Sequence, residues 1–479
     1  RSSMALTPSR VVGLPWLPVS VRPGWQRRGP RAKLGRDRFD RATLGSAGVV
    51  LGRVVLRAVR TVDTDGRGKI LVTEKSYKQG EMLFVEEPVI EILQESPQPS
   101  MKDLKRWIDL FVQLPEEKQQ GILELCCNEV APKGVLASLL GQTGEGAKAL
   151  SGDLPVEVVW KFLRIMEGNS FQVPTDAGVR VELVLLGSRM NHSCLPNALR
   201  GPGREKGTVE VRALRDLGEG EEVNVSYIGE ALSKPTAPRR AILEARWQFK
   251  CLCERCQASD VLRAFRCEVC GGTHLVPGVG TGDSENSVGP CLACGAPGFA
   301  VDALERRWDV AFLAAEQDLG RAGRAVTAAL EAKDGAALTA AVKDAFEALA
   351  AANRAEENCT LQMSHHLRLR FRKARVTLRS LVGDAFAAAG ESASAELWGQ
   401  STVELQEGIE MEKQTLPFPR DKLVSELIQL SGLYRKLGMA PDAKRCLEDA
   451  LKVMELIYWA SEAPEAKQMK RDIEEALKA

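Results

Sequence analysis

The part of the chain that decides the fold reads RMNHSCLPN from Arg189 to Asn197. The run is dense in side-chain hydrogen-bond donors and acceptors, which compete with the backbone for partners. It therefore favours local turns over a long helix or strand. In isolation Asn191 would be an ordinary turn residue and His192 an ordinary core histidine, so the meaning of the stretch depends on its neighbours.

Two glycine-containing stretches accompany it. Downstream, GEGEEVNVSY from Gly218 to Tyr227 alternates valines with polar residues, which predicts a short strand that ends at Tyr227. Upstream, DGRGK from Asp65 to Lys69 precedes an alternating apolar run and predicts a hairpin. Glycines in such a turn let the backbone approach a ligand closely.

Cysteine spacing predicts zinc binding. Of the 12 cysteines, one group lies in CLCERC and a second forms two CxxC turns; the residues are Cys251, Cys253 and Cys256, then Cys267, Cys270, Cys291 and Cys294. Two CxxC turns close a tetrahedral four-thiolate site. The alternative is a disulfide framework. It belongs to small secreted domains, whereas this chain has 479 residues and no continuous apolar signal segment.

The first cysteine group is one ligand short. A structural zinc ion takes four protein ligands and leaves no position for water. Cys194 is the candidate for the missing ligand. His274 is interpreted as a solvated loop histidine, because the second group already has four thiolates. Filled thiolate sites predict two structural zinc ions and no catalytic one.

Composition excludes several classes of protein. Apolar residues make up 44% and charged residues 27% of the chain, which is typical of a soluble globular protein. The net charge is +1, so no global field attracts nucleic acid, and nucleic-acid binding is not expected. No apolar run approaches the ~20 residues that span a bilayer, so no membrane association is expected.

Residues 1–46 are predicted to be a basic, disordered tail. From Arg1 to Arg36 arginines and prolines are scattered and there is no acidic residue. An organelle transit peptide has a similar composition and is the alternative. Reduced thiols favour the nucleus or the cytoplasm as the compartment.

Three of these stretches together resemble a known family. In order and separation, NHSCLPN (191–197), GEEVNVSY (220–227) and CLCERC (251–256) are similar to the SET-domain protein-lysine methyltransferases, and within them to the SET and MYND-domain family. EGNSF, from Glu167 to Phe171, also looks like the family's short asparagine-bearing motif. The resemblance implies a knotted β-fold in which one segment is threaded under another.

The resemblance also implies a cofactor, S-adenosylmethionine, and a protein substrate whose target lysine enters through a narrow channel. Carried over by position, the cofactor-binding residues are Gly66, Arg67, Gly68, Lys69, Asn169, Ser188, Met190, Asn191, His192, Trp247 and Phe249. Tyr227 would be the catalytic residue, orienting the lysine amine and the methyl group. Cys194 would complete the first zinc site. Without the motif, Tyr227 would be a core tyrosine with a satisfied hydroxyl.

The expected activity is S-adenosylmethionine-dependent protein-lysine N-methyl transfer to a histone or another protein. The alternative is a catalytically weak SET-fold scaffold that binds protein partners through its C-terminal helices. Residues 179–187 lack the aromatic side chain that the family would place in the lysine channel, which leaves room for the scaffold.

The interval from Pro88 to Asn169 departs from the family pattern. A MYND finger would lie here, but the interval holds only the adjacent pair Cys126 and Cys127, which cannot build two zinc sites. Apolar residues at three- and four-residue spacing instead predict helices over 101–114, 115–129 and 155–166. We therefore expect a helical insert in place of the finger.

From Val301 onward the composition is helical, with little glycine or proline. Small residues at 431, 438, 443 and 450 around Tyr434 resemble one tetratricopeptide repeat, which needs stacked neighbours. This region is a candidate wall over the substrate cleft or a partner-binding groove, or else a plain helical buttress. The predicted class is α+β, with five segments: the tail (1–46), a SET domain (47–232, with its helical insert at about 96–168), a post-SET zinc segment (233–258), a four-cysteine zinc ribbon (259–300) and a tetratricopeptide-like helical domain (301–479).

Overall fold

The computed structural model describes residues 55–56, 59–64, 68–127, 140, 145–148, 150–175, 177–205, 207–278, 286–459 and 464–478. The predicted tail, and Gly66 and Arg67 of the predicted cofactor site, lie outside these ranges. Within them, strands and a helical insert are followed by a long helical region. The mixed α+β composition with neighbouring C-terminal helices is therefore confirmed, while the five segment boundaries stay predictions.

The strand-rich half consists of small sheets. Its strands are β1 (Val55–Leu56), β2 (Val59–Thr64), β3 (Gly68–Thr73), β4 (Met82–Glu86), β5 (Ile90–Gln94), β6 (Phe171–Thr175), β7 (Gly178–Leu183), β8 (Asn191–His192), β9 (Ala198–Pro202), β10 (Val209–Ala213) and β11 (Asn224–Val225). One antiparallel sheet has the order β1-β4-β10-β9 and another β5-β7-β6, while β2 and β3 form the predicted hairpin. The remaining pair, β8 with β11, is parallel.

The insert between β5 and β6 is helical, as expected. Its helices are α1 (Met101–Gln113), α2 (Glu116–Leu123), α3 (Glu145–Lys148) and α4 (Val156–Asn169). The α1 helix begins at a capping box, in which Ser100 and Asp103 each accept the other's backbone N–H. Phe111 of α1 stacks on Phe162 of α4, with ring centroids 4.4 Å apart.

The second predicted helix was too long. It ends at Leu123, not at residue 129. The chain turns there because Leu125 is buried in the core of the insert, while Glu124 points the other way and pairs with Lys69 at 3.3 Å. The spacing of apolar residues along the chain cannot predict the long-range contact between Glu124 and Lys69.

The second half consists of a short cysteine-rich segment, a β-hairpin and a helical region. The elements are α5 (Thr236–Trp247), α6 (Glu254–Gln257), the hairpin β12 (Asp260–Arg266) and β13 (Thr273–Val276), then α7 (Asp302–Ala332), α8 (Gly335–Glu357), α9 (His366–Ala388), α10 (Ala393–Thr415), α11 (Asp421–Lys436), α12 (Ala440–Ile457) and α13 (Pro464–Lys478). Among the helices in the described ranges, none has both the length and the apolar character needed to cross a bilayer.

The α11–α12 pair contains the small residues singled out in the sequence. Ser431, Ala443 and Ala450 are buried between these helices, and the Ser431 hydroxyl donates to the carbonyl of Ala443 at 2.9 Å. Gly438, at φ +73°, makes the tight turn between them. Small side chains allow this close approach, while the assignment as a tetratricopeptide repeat stays a prediction.

Trp459, after α12, anchors the helical region to the antiparallel sheet. Its indole N–H donates to the carbonyl of Pro202 at 3.1 Å, and the Arg212 guanidinium lies 5.1 Å from its ring centroid. A Cβ on Gly201 would lie 2.9 Å from the indole. The strand therefore needs glycine here to admit the ring.

Glu305 of α7 joins the ribbon hairpin to the helices. Its carboxylate accepts from Arg263 of β12 at 2.8 Å and from His365, just before α9, at 3.1 Å. The other nitrogen of His365 accepts the backbone N–H of Leu367, so the ring is held at both ends. Although burial raises the pKa of Glu305, the hydrogen bonds from His365 and Arg263 outweigh it and lower the pKa to about 2.

This pairing predicts an acid-sensitive contribution to stability. Because the folded-state pKa of Glu305 lies below its unfolded value, the stabilisation is complete above pH ~4.5 and is lost as the pH falls toward 2. We expect Glu305→Gln to flatten the fall of the urea midpoint between pH 5 and pH 3. Asp309→Asn, which removes an exposed carboxylate of the same helix, is the control and should leave the slope as in wild type. Equal slopes for all three proteins would contradict the prediction.

Candidate active site and zinc sites

The parallel β8–β11 pair brings the two polar stretches together. Asn191 lies opposite Asn224, and His192 lies opposite Val225. The backbone N–H of Ser193 then donates to the carbonyl of Val225 at 3.0 Å. Residues more than 30 positions apart in the chain thus share one ladder, and Tyr227 follows it two residues beyond β11 instead of ending the strand.

Tyr227 lies at the centre of an aromatic group. Its hydroxyl donates to the carbonyl of Met190 at 2.7 Å. Its ring centroid is 5.2 Å from that of Trp247, 5.4 Å from His192 and 6.5 Å from Phe249. Burial raises the pKa of the phenol well above its usual range, so the hydroxyl stays protonated at neutral pH. Because the Tyr227 hydroxyl donates its proton to the carbonyl of Met190, the lone pairs of its oxygen remain available to accept a hydrogen bond.

The two aromatic rings beside Tyr227 come from the end of α5 and the segment after it. Residues 179–187, where the family pattern would place a channel aromatic, form β7 and the following turn. The indole N–H of Trp247 donates to the carbonyl of Gly168 at 3.3 Å, which holds the ring in place. Both rings beside Tyr227 therefore come from a part of the chain later than β7.

His192 uses both ring nitrogens inside the protein. Its Nδ1 accepts the backbone N–H of Tyr227 at 3.1 Å, and its Nε2 lies 3.3 Å from the sulfur of Cys194. Burial lowers the pKa of His192 to about 4, so the ring is neutral at pH 7. A cofactor contact from this residue would have to come from its backbone or ring face.

A cleft of about 1220 Å³ opens beside Tyr227. Of the predicted cofactor-binding and catalytic residues, those lining it are Gly68, Lys69, Asn169, Ser188, Asn191, His192, Tyr227, Trp247 and Phe249. Met190 is buried and contributes its carbonyl to Tyr227. Except for Met190 and the two residues outside the described ranges, the predicted cofactor-binding and catalytic positions share one cavity.

Asn169 presents an acceptor to this cleft. Its amide nitrogen donates to the carbonyls of Cys126, at 2.8 Å, and Ile165, at 2.9 Å, which uses both amide hydrogens. The side-chain oxygen is then left for a ligand, and its chemistry suits an ammonium group. The hydroxyl of Ser188 donates to the backbone carbonyl of Asn169 at 3.2 Å, which ties these two lining residues together.

Sequence reasoning missed the carboxylate that shapes the next turn. Glu86, at the end of β4, is buried and accepts the backbone N–H groups of Leu185, Leu186 and Gly187 at 2.7, 2.7 and 2.9 Å. These amides lead into the short 3-10 helix Gly187–Arg189 and then into Asn191. Burial raises the pKa of Glu86, and the three donors oppose that rise. No local motif marks this residue, because its partners lie about 100 positions away.

Two other walls of the cleft come from the helical insert and from the C-terminal helical region. The insert contributes Glu124 and Cys126, and Glu124 pairs at 3.3 Å with Lys69, which also lines the cleft. The loop after α10 contributes Pro417 and Phe418. The insert looked purely structural in the sequence, whereas the C-terminal region was a candidate wall of the cleft, and Pro417 and Phe418 line it.

The first cysteine cluster consists of Cys194, Cys251, Cys253 and Cys256, whose sulfurs all lie within 4.8 Å of one another. Cys194 therefore lies where the three-sulfur group needs a fourth ligand. The sulfurs of Cys194 and Cys256 are 3.7 Å apart. Zinc–sulfur bonds of ~2.3 Å in a tetrahedron require ~3.8 Å, whereas a disulfide requires ~2.05 Å. The geometry fits a metal site and excludes the disulfide alternative here.

One buried and one half-buried arginine indicate the charge of this cluster. Arg239 has no exposed surface, and its guanidinium lies 3.7 Å from the sulfur of Cys256. Arg255 donates to the carbonyls of Leu232, at 2.7 Å, and Cys194, at 3.3 Å. Four thiolates around Zn²⁺ carry a net charge of −2, which two guanidinium groups balance. A buried cation without such a counter-charge would be costly.

The second cysteine cluster consists of Cys267, Cys270, Cys291 and Cys294. Its sulfurs are 3.7 Å apart in the pairs 267–294 and 270–291. A Cβ on Gly272 would lie only 3.0 and 3.1 Å from two of these sulfurs, so the turn needs glycine. Both clusters could hold zinc, with the ligands that the sequence predicts.

The interpretation of His274 as a solvated loop residue was wrong. It lies in β13, is 2% exposed, and its Nδ1 contacts the carbonyl of Gly289 at 2.9 Å. Burial behind the second cysteine cluster places it in the core of the ribbon hairpin. The turn residues near it in sequence had suggested a loop.

Comparison with known families identifies the strand-rich half. Residues 68–228 match the SET domain. The resemblance inferred from the three motifs is therefore confirmed: this part of the chain is a SET domain, and its homologues are SET- and SMYD-type lysine methyltransferases.

Curated relatives match only over short stretches. The chain is 40% identical over 78 residues to the histone-lysine N-methyltransferase set5 of Schizosaccharomyces pombe, which is 16% of this chain and 24% of that protein. It is 43% identical over 72 residues to the N-lysine methyltransferase SMYD2 of Homo sapiens, 15% and 16% of the two chains. A SET and MYND domain-containing protein of Dictyostelium discoideum is 35% identical over 74 residues, which is 15% of this chain and 17% of that protein. The matches span less than a quarter of each relative.

One solved structure with similarity is the SET domain of LSMT bound to lysine and AdoHcy. It is 11% identical, covering 88% of this chain and 94% of that one, with a TM-score of 0.28. Similarity at this level does not bear on the geometry of the cleft.

Proposed function

We propose that this SET-domain chain is a protein-lysine N-methyltransferase that uses S-adenosylmethionine. One observation carries the proposal: the parallel β8–β11 pair gathers Asn191, His192 and Tyr227 around a single cleft. The knotted threading implied by the family resemblance is part of the proposal, supported by the hydrogen bonds of Ser193 and Asn197 to β11 on either side of Cys194.

The residues of the cleft fit the cofactor. Asn169 offers an acceptor oxygen to the amine at the methionine end of the cofactor. Lys69 offers a cation to the carboxylate of the same methionine end. Phe249 offers a ring face to the adenine. Ser188, Asn191 and the backbone of Gly68 line the same cavity. When bound, S-adenosylmethionine supplies a methyl group already activated by its sulfonium.

The chain's own task is to present a neutral lysine amine. A free lysine has a pKa of ~10.4, so the amine must lose its proton before it reacts. An apolar channel that ends at Tyr227 would disfavour the ammonium form. The Tyr227 hydroxyl donates its proton to the carbonyl of Met190, so its oxygen would accept an N–H of the lysine amine. This hydrogen bond would orient the lone pair of the amine nitrogen toward the methyl group.

Substrate, partners and location are proposals as well. The substrate is a protein with an accessible lysine, and the C-terminal helices are the proposed partner-binding surface. A set of free thiols in the described part of the chain favours the nucleus or the cytoplasm, where thiols stay reduced.

Transfer of labelled methyl tests the proposal. The full chain would be incubated with S-adenosylmethionine labelled in the methyl group and a panel of proteins, followed by mass spectrometry of the methylated peptides. We expect label on lysine side chains. Cofactor binding without transfer to any protein would overturn the proposal and favour the scaffold that acts through its helices.

A further inference from the structure

The His192 ring bridges two groups with different expected roles. At one end its Nδ1 accepts the backbone N–H of Tyr227 at 3.1 Å, and at the other its Nε2 lies 3.3 Å from the sulfur of Cys194. An Nδ1 that accepts requires the proton on Nε2, so the ring donates to the sulfur. The residue is 9% exposed and does not need a ligand to satisfy either nitrogen.

We propose that His192 is a positioning residue that ties the backbone of Tyr227 to the first cysteine cluster. The hydrogen bond from the Tyr227 N–H to His192 lies just beyond the end of the β8–β11 ladder. The β11 strand ends at Val225, and the carbonyl of Val225 accepts the backbone N–H of Ser193. The imidazole then supplies the acceptor for Tyr227. The consequence for catalysis rests on the proposed function, while the bridge itself does not.

The far end of the bridge lies in the buried first cysteine cluster. Cys194 has no exposed surface, its N–H contacts the sulfur of Cys253 at 3.4 Å, and its sulfur lies 3.7 Å from that of Cys256. Donors to metal-bound ligands orient those ligands and are oriented by them. A filled cluster would therefore fix the ring, and the ring would fix the amide of Tyr227 and the start of its side chain.

Three substitutions separate the two ends. His192→Leu removes both contacts. His192→Asn keeps an acceptor at the δ position for Tyr227 but does not reach Cys194. His192→Gln keeps a donor that reaches toward Cys194 but loses the δ acceptor. The asparagine and glutamine variants also guard against a leucine variant that fails to fold.

The first readout is the amide of Tyr227, independent of activity. The chain has 4 tyrosines, so protein labelled with [15N]tyrosine gives few amide signals, and Tyr227→Phe identifies the one of interest. We expect this amide to lose its protection from hydrogen exchange in His192→Leu and His192→Gln and to keep it in His192→Asn. An unchanged amide in His192→Leu would overturn the proposal.

The second readout is metal release to a colorimetric zinc chelator. Release of one zinc ion per chain should be faster in His192→Leu and His192→Asn than in wild type, and close to wild type in His192→Gln. Equal release from all four proteins would mean that the ring does not engage the cluster, and would overturn the coupling.

The third readout is kinetic. We expect kcat to fall about tenfold in His192→Leu and His192→Gln and by a smaller factor, about threefold, in His192→Asn, with the loss in kcat and not in the Kd for S-adenosylmethionine. A raised Kd with unchanged kcat would make His192 a cofactor contact and overturn the proposal. If the wild type transfers no methyl while the amide and the metal respond as stated, the proposed function fails and the bridge stands.

Discussion

Replacing Tyr227 by phenylalanine is expected to lower kcat for methyl transfer by about 100-fold or more while leaving the Kd for S-adenosylmethionine within about twofold. The hydroxyl is the only group removed, and it is held by Met190 at 2.7 Å with its lone pairs left for the amine. The ring remains, with its packing against Trp247 and Phe249. The loss should therefore fall on the transfer step, as measured by labelled-methyl incorporation and by calorimetric binding of the cofactor.

Tyr434→Phe is the matched control. It removes a hydroxyl from the helical region, where that group donates to Gln406 at 3.1 Å, far from the cleft in sequence and environment. Its kcat should equal that of wild type. Full activity of Tyr227→Phe, or an equal loss in both variants, would remove Tyr227 from the mechanism. A rise in the cofactor Kd alone would reassign it to cofactor binding.

The second large effect is expected from Cys256→Ala. The protein should carry two zinc ions per chain by metal analysis, and this variant one, since four thiolates close each site. The loss also leaves Arg239 buried without the anionic cluster that balances it. We expect the midpoint of thermal unfolding to fall by roughly 10 °C or more and methyl transfer to drop to background, because Leu416 and Phe418 pack on the same cluster.

Cys446→Ala is the control for this substitution. Cys446 is also buried, but it lies in α12 between helices, away from both cysteine clusters. It should keep two zinc ions and lose only the packing of one sulfur atom. Wild type with one zinc ion or none, or Cys256→Ala with two, would refute the ligand assignment.

The motifs were predictable because their residues are local and chemically unusual. A run such as NHSCLPN, a strand leading to Tyr227, and cysteines at zinc-ligand spacing carry their meaning in a few neighbouring positions. The SET domain and the neighbouring helices are confirmed on that basis. The roles assigned to single side chains stay predictions, although the structure places most of them around one cleft.

Other features had no local signal. Nothing in the neighbouring sequence distinguishes Glu86 from other glutamates. Its role comes from the three backbone N–H groups that it accepts, which lie 99 to 101 positions later in the chain. Arg239 looks like an ordinary exposed helix residue until α5 packs against the sulfurs. The end of α2 at Leu123 and the burial of His274 were misjudged for the same reason.

Residue type and short-range spacing therefore predicted the chemical groups of the site. These groups are two sets of four cysteine sulfurs, a phenol that follows a strand, and a polar run that favours turns over regular structure. Folding in three dimensions selected which of these groups touch, which arginines balance the sulfurs, and which ring lines the cleft beside Tyr227. The reason is physical. Ligand spacing and strand alternation are set by bonds between near neighbours, whereas burial, charge balance and the sharing of a hydrogen bond depend on segments that meet only after the chain has packed.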